Sequence, residues 1–272
     1  MNNIIEKITI FSGINKFGQA ENFDKIDIKR GQVVSIVGPT GAGKSQLLYD
    51  IEKLTQGDTV SKRKIFINDQ KPEREWRSDP RFKLIAYLAQ SMNFLTDMSV
   101  ENFLKLHIKA RGKNLSEDII SKIIENTNNI TGEPITRDMN LLNLSGGQTR
   151  ALMVADVAFI SDSPIILIDE IENAGIKKEH AIDILINEGK IVFLVTHDPA
   201  LALKADKRLV IKSGGINLVI ETSVKEKGIS YYLNWVDNFN LKIREDIRQG
   251  KIIDEVKIFC QPYDKDDLGG KK

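Results

Sequence analysis

Apolar residues along this chain follow two rhythms. Short β-branched runs broken by turns occupy residues 7–11 (KITIF), 23–28 (FDKIDI), 33–37 (VVSIV), 64–68 (KIFIN) and 84–89 (LIAYLA), and they predict strands. Three more follow late in the chain: PIILI at 164–168, KIVFLV at 190–195 and KRLVIK at 207–212. The second rhythm is helical. In QLLYDIEKL the residues Leu47, Leu48, Ile51 and Leu54 recur at helical spacing. SVENFLKLHIKARG and SEDIISKIIENT each begin with a serine followed closely by acidic residues, then apolar positions on one helical face. They predict a small helical lobe between Ser91 and Asn143. Further helical patterns cover about 150–161 and 177–188, and YYLNWVDNFNLKIREDIRQG has helical texture near the C-terminus.

Strands alternating with helices at this spacing predict an α/β protein with a largely parallel sheet. The polar, proline-containing KPEREWRSDPR at 71–81 predicts a loop. DEVKIF at 254–259 has strand texture, and the charged DKDDLGGKK that ends the chain predicts disorder. No internal repeat or heptad array is present.

Composition narrows the function classes. With 41% hydrophobic and 28% charged residues in 272, the chain can bury a large core. Its net charge of +1 gives no global field that would draw it to nucleic acid or an anionic membrane, and no nucleic-acid partner is expected. Cys260 is the single cysteine, which excludes an intrachain disulfide or a cysteine metal cluster and fits a reducing compartment. The N-terminal MNNIIEKITIF lacks the pattern of a signal peptide. Apolar runs such as Val33 to Val37 are strand-length, against the roughly 18 residues a spanning helix needs, so membrane association would require a partner.

The chemistry begins after VVSIV. GPTGAGKS, comprising Gly38, Pro39, Thr40, Gly41, Ala42, Gly43, Lys44 and Ser45, fits G-x-x-x-x-G-K-[ST] between a strand and a helix. Glycines let successive N–H groups wrap phosphate oxygens, the helix turns its positive end toward them, and Lys44 reaches the outer phosphates. Ser45 offers a hydroxyl to Mg²⁺. Far downstream, the strand IILI ends in adjacent carboxylates, Asp169 and Glu170. At the end of a strand beside the phosphate loop they can divide the work of triphosphate hydrolysis, Asp169 holding the Mg²⁺ shell and Glu170 polarising the attacking water.

Between these motifs stands LNLSGGQTRALMVADVAFISDSPIILIDE. LSGGQ, followed by a helix and a strand ending in Asp-Glu, resembles the signature of ATP-binding cassette ATPases, and the resemblance covers roughly residues 5 to 215. It implies a P-loop nucleoside-triphosphatase core with a mixed, mainly parallel sheet, an N-terminal antiparallel β part and an inserted helical subdomain. It implies a cassette over 1–215, with the helical subdomain at about 91–146, and leaves 216–272 as an extension of unknown role. The ligands it implies are ATP and Mg²⁺. Ser145, Gly146, Gly147 and Gln148 are implied to approach the γ-phosphate of ATP on a second cassette, in a homodimer or a heterodimer. Gln90, at the end of LIAYLAQ, matches the family's glutamine that senses Mg²⁺ and the attacking water. His197 in LVTHD matches the histidine that contacts the γ-phosphate. Phe17 in NKFG falls near the family's adenine-stacking aromatic, with Phe11 as its rival.

The sequence departs from transport cassettes in three places. Asp169 and Glu170 are followed by Ile171, Glu172, Asn173, Ala174, Gly175 and Ile176, where most have Pro-Thr-Ser-Ala-Leu-Asp. Gln46 stands where a threonine often follows the loop serine and binds the α-phosphate, and the stretch between Glu170 and His197 is short. Two functions are consistent with this pattern. The favoured one is the energy-coupling subunit of a membrane transporter, in which NFLTDMSVENFLKLHIKARG docks an integral membrane subunit and holds a cytoplasmic protein at the inner face of the membrane. The alternative is a soluble ATP-driven switch in protein or cofactor assembly.

Overall fold

The computed structural model describes residues 4–79, 82–171 and 176–253. Glu172 to Gly175, most of the segment that departs from the family pattern, lie outside the described residues, as do DEVKIF and the charged tail.

Two sheets build the core. β1 (Lys7–Phe11) lies between β2 (Lys25–Lys29) and β4 (Lys64–Ile67) in a small antiparallel sheet. The larger sheet runs β5 (Ile85–Leu88), β6 (Ile165–Asp169), β7 (Ile191–Val195), β3 (Val33–Val37), β8 (Lys207–Lys212) and β9 (Gly215–Glu221). Its first five strands are parallel and β9 is antiparallel. The continuous apolar runs have their explanation here: parallel strands covered on both faces need apolar side chains at every position. Along β6, Ile165 and Leu167 pack toward the small sheet and α1 (Lys44–Glu52), while Ile166 and Ile168 face the opposite layer. Phe193 and Val192 of β7 divide in the same way.

That opposite layer consists of α5 (Gly146–Phe159), α6 (Lys178–Asn187) and α7 (Pro199–Lys204). The helical lobe has its own core. α3 (Val100–Ala110) and α4 (Glu117–Ile130) bury Leu104, Ile108, Ile120 and Ile123 against Leu152 and Ala155 of α5, so α5 belongs to both lobes. Ser99 and Ser116 cap α3 and α4 through their side chains, as the serine-plus-acid pattern predicts.

Three elements differ from the sequence reading. The loop expected at 71–81 contains a short helix, α2 (Arg74–Ser78), on which Trp76 packs against the main core. Proline at both ends of that segment hides a single turn whose one apolar anchor carries no periodicity. α7 is announced only by Asp198, which caps it, and Pro199 at its first position. β9 follows a two-residue hairpin in which Ser213 and Gly214 both have positive φ, 52° and 82°, and Lys212 pairs with Gly215. The central sheet therefore continues past residue 215.

The last helix, α8 (Val224–Arg248), packs on α7, where the buried Ser230 hydroxyl donates to the Ala200 carbonyl at 2.7 Å. It starts at a reciprocal cap: Ser223 Oγ accepts from the Glu226 amide at 3.2 Å and Glu226 Oε2 accepts from the Ser223 amide at 2.9 Å. The Ser223 amide, the Arg208 guanidinium and the Ser223 hydroxyl pull the Glu226 carboxyl down to about 2 from its usual 4.5. A depressed folded-state value means this cap contributes fully above about pH 4.5 and is lost as pH falls toward about 2. We expect amide exchange at Ser223–Lys227 to accelerate across that window in hydrogen-exchange measurements, and Glu226→Gln to remove the acid-dependent step. Among the described residues, no helix is long and apolar enough to cross a membrane.

Candidate nucleotide site

Because β5, β6, β7 and β3 are parallel and adjacent, their C-terminal ends share one edge of the sheet. The register places Asp169 beside Val195 and Ile36 beside Val195. The segments that leave this edge carry the glycine loop after β3, Gln90 after β5, Glu170 after β6 and His197 after β7. Residues far apart in sequence meet here for a topological reason.

The glycine loop connects β3 directly to α1. Close packing dictates two of its glycines. A Cβ on Gly38 would stand 2.5 Å from the Ile211 carbonyl oxygen, and one on Gly43, whose φ is 104°, would stand 2.7 Å from Cα of Gly214. Gly214 also donates its amide to the Ala42 carbonyl at 2.7 Å, so the β8–β9 turn supports the loop from behind. Gly43 is the N-cap of α1 and offers no side-chain bond, and the first turn holds no acidic residue. Helices α3, α4, α5 and α7, in contrast, are capped by Ser99, Ser116, Ser145 and Asp198. No side chain therefore occupies the start of α1, whose positive dipole end is of the kind that favours an anion.

Lys44 Nζ donates to the carbonyls of Gly38 at 2.8 Å and Pro39 at 3.2 Å, and lies 3.3 Å from His197 Nε2. Glu170 faces the same space. Its Oε2 accepts from Gln90 Nε2 at 2.5 Å, and its Oε1 is 3.8 Å from His197 Nε2. The Glu170 backbone is left-handed, with φ at 52°, which costs a non-glycine residue on the order of 1 kcal/mol. Its amide donates to the Val195 carbonyl at 3.0 Å and its carbonyl accepts from Arg150 at 3.1 Å, which holds the strained conformation in place. Asp169, still on β6, accepts from the Tyr87 hydroxyl at 3.2 Å. Burial, followed by the Asp169 charge and hydrogen bond, pushes the Tyr87 hydroxyl up to about 12, so it remains a donor at neutral pH.

The structure therefore brings Gly38 to Ser45, Gln90, Asp169, Glu170 and His197 to one edge. Other expected residues sit elsewhere. Gln46 turns its amide to Asp50 at 2.9 Å. Ser145 and Gly146 are exposed at the start of α5, where Ser145 and Gln148 form a capping box and Gln148 donates to the carbonyls of Glu133 and Pro134. Phe17 is 67% exposed at the tip of a loop tied to the β8–β9 turn by the Lys16 amide, which donates to Ser213 at 2.9 Å. Its rival Phe11 is committed to Phe66 in an edge-to-face contact, with centroids 4.8 Å apart. Sequence reading missed Tyr87 and Arg150. Arg150 donates to the carbonyls of Ala89, Gln90 and Glu170, which ties α5 to two walls of the site. Its only sequence signal is the one basic side chain on α5.

A glycine loop between strand and helix, at the C-terminal edge of a parallel sheet covered on both sides, defines a P-loop nucleotide-binding fold. Within that class, the chain belongs to the ABC transporter family, whose sequence profile matches residues 23–173. It is 55% identical over 247 residues to an uncharacterized ABC transporter ATP-binding protein of Methanocaldococcus jannaschii, covering 91% of this chain and 94% of that one. It is 30% identical over 230 residues to the macrolide export ATP-binding/permease protein of Campylobacter jejuni, covering 74% of this chain and 34% of that much longer protein. The fold is shared with cbiO1 of Clostridium perfringens, part of an ABC transporter complex, at a TM-score of 0.59, 20% identity and coverage of 91% and 100%. An ATP-binding cassette of an ABC transporter in its ADP conformation has a TM-score of 0.58 at 19% identity, with coverage of 84% and 96%.

Proposed function

We propose that this chain binds and hydrolyses ATP with Mg²⁺ and is the energy-coupling subunit of a membrane transporter, acting in a pair of cassettes. The observation that carries the reading is the meeting of Lys44, His197, Glu170 and Gln90 at the sheet edge, each within 4 Å of the next. Triphosphate oxygens on the α1 N-terminus would exchange the Lys44 contacts to Gly38 and Pro39 for contacts to anionic oxygen, a stronger pairing. A water placed between Glu170 and the γ-phosphorus attacks in line. Its oxygen forms the new P–O bond as the bond to ADP breaks, and its proton passes to the Glu170 carboxylate. Gln90 and His197 hold the carboxylate and the attacked γ-phosphate in register.

Ser45, Asp169 and the Gln90 amide supply hard oxygen donors, the set that suits Mg²⁺ shared with substrate phosphates. When bound, the ion neutralises charge on the outer phosphate oxygens. Ser145, Gly146 and Gly147, at the start of α5, would meet ATP held by the second cassette, whether an identical chain or a related one, with the buried Gln148 holding that turn in shape through its capping box. Phe17, exposed on its loop, is the adenine platform in this reading.

Lys44→Ala should weaken nucleotide binding by about 10- to 100-fold, since a hydrogen bond to a charged partner contributes about 1.5–3 kcal/mol. Titration of a fluorescent ATP analogue reads this directly; unaltered affinity removes the loop from the site. The membrane partner would dock on the segment before α3, where Leu95 is 92% exposed. Leu95→Asp should abolish co-purification with an integral membrane protein from native membranes and leave ATP affinity within about twofold, because the residue lies outside the hydrolytic cluster. A protein recovered free of any membrane partner before substitution would favour the assembly-switch alternative. In the transporter reading the chain is cytoplasmic and held at the membrane only through that subunit.

A further inference from the structure

Immediately before β4, Arg63 is the bulkiest fully buried side chain among the described residues, at 0% exposure. Its guanidinium faces two carboxylates from different parts of the chain. Nη1 donates to Asp50 Oδ2 at 2.7 Å, Nε donates to both oxygens of Glu21 at 3.2 Å, and Nη2 donates to Glu21 Oε1 at 2.5 Å. Nη2 also donates to the Gly214 carbonyl at 3.1 Å. The carboxylates have further partners: Asp50 accepts from Gln46, Thr59 and Ser61, and Glu21 accepts from the amides of Gly13 and Ile216.

This cluster touches both halves of the nucleotide site, each at two points. Toward the phosphate loop, Asp50 holds Gln46, the residue just after Ser45, and Gly214 donates to Ala42. Toward the aromatic loop, Glu21 closes the base of residues 13–21 through the Gly13 amide, and Ser213, beside Gly214, accepts from the Lys16 amide next to Phe17. A buried ion pair adds little stability compared with apolar side chains of the same volume; a planar guanidinium with fixed partners sets distances and angles instead. Apolar packing here would hold the core equally well and would not fix the Phe17 loop against the phosphate loop.

We propose that Arg63 is a positioning residue that couples the phosphate loop to the Phe17 loop, so that filling the first presets the second and the chain binds nucleotide in preference to bare polyphosphate. The inference rests on the ATP-site reading above.

The test uses the full chain, with ATP and inorganic tripolyphosphate as ligands. Arg63→Lys keeps the charge and loses the fork. It should weaken ATP binding by about tenfold, while tripolyphosphate, which needs only the phosphate loop, stays within about twofold in calorimetric titration. In the unsubstituted chain, tripolyphosphate should slow amide exchange at Lys16, Phe17 and Gln19, whose N–H groups are bonded to Ser213 and to the Asn15 side chain. Weakening of both ligands in the same proportion, as a purely structural role requires, overturns the coupling. So does an unsubstituted chain whose Phe17 loop does not respond to tripolyphosphate, a measurement that stands even if the variant does not fold. An unsubstituted chain that binds neither ligand fails at the nucleotide-site reading, and the coupling falls with it.

Discussion

Glu170→Gln should retain ATP at wild-type affinity, trap two cassettes closed around it and lower turnover by about 10²–10⁴-fold, the range associated with loss of a general base. The change is nearly isosteric. The amide oxygen can still accept from Gln90, which now lies 2.5 Å from the carboxylate, and the backbone bonds to Val195 and Arg150 that hold φ at 52° do not involve the side chain. What disappears is the negative charge and the capacity to accept a proton from water. Binding groups on the α1 N-terminus are untouched, so the loss belongs to turnover and not to the affinity for ATP. In the paired-cassette reading, closure would depend on contacts that intact ATP offers and that hydrolysis removes, which is the differential affinity a two-state equilibrium requires. A slowed variant therefore accumulates in the closed pair. Single-turnover kinetics with size-exclusion chromatography in ATP and Mg²⁺ measure both effects, and unchanged turnover removes Glu170 from the water-activating role.

Period and punctuation make most of the central sheet legible in the sequence. VVSIV, PIILI and KIVFLV have apolar side chains at nearly every position because both faces are covered, and such runs read as buried strands. The site is legible through motifs whose spacing along the chain becomes proximity only in a parallel sheet: Gly38 to Ser45, Gln90, Asp169, Glu170 and His197 all leave the same edge. Elements with one turn or one anchor are not legible. α2 has Trp76 alone, and α7 has Asp198 and Pro199 but too few residues to show a period. Contacts set by three-dimensional meeting are invisible for a different reason. Gln46 directly follows the phosphate motif yet bonds to Asp50, because a helix brings i and i+4 together and Arg63 has drawn Asp50 into a cluster that no local pattern announces. Arg150 and Tyr87 are of the same kind, each defined by partners tens of residues away.

Arg63→Met should destabilise the chain by about 3–5 kcal/mol, the cost associated with breaking a buried ion pair from one side. The methionine fits much of the volume, so the loss is electrostatic. Glu21 and Asp50, with side chains 1% and 0% exposed, would lose the one cation that faces them both. Their remaining donors, the amides of Gly13 and Ile216 and the side chains of Gln46, Thr59 and Ser61, are neutral and cannot replace it. Adding Glu21→Gln to Arg63→Met removes one of the two stranded carboxylates while keeping a hydrogen-bonding side chain of the same length. The double variant should therefore be more stable than the sum of the two single losses predicts, by about 0.5–3 kcal/mol. Urea unfolding measures this as a shift in midpoint at constant slope. A loss below about 1 kcal/mol for Arg63→Met, or strict additivity of the pair, would mean that the guanidinium does not compensate those carboxylates. A large loss with strong coupling is the signature of a charge cluster held by mutual geometry, the property a rigid link between the two halves of the nucleotide site requires.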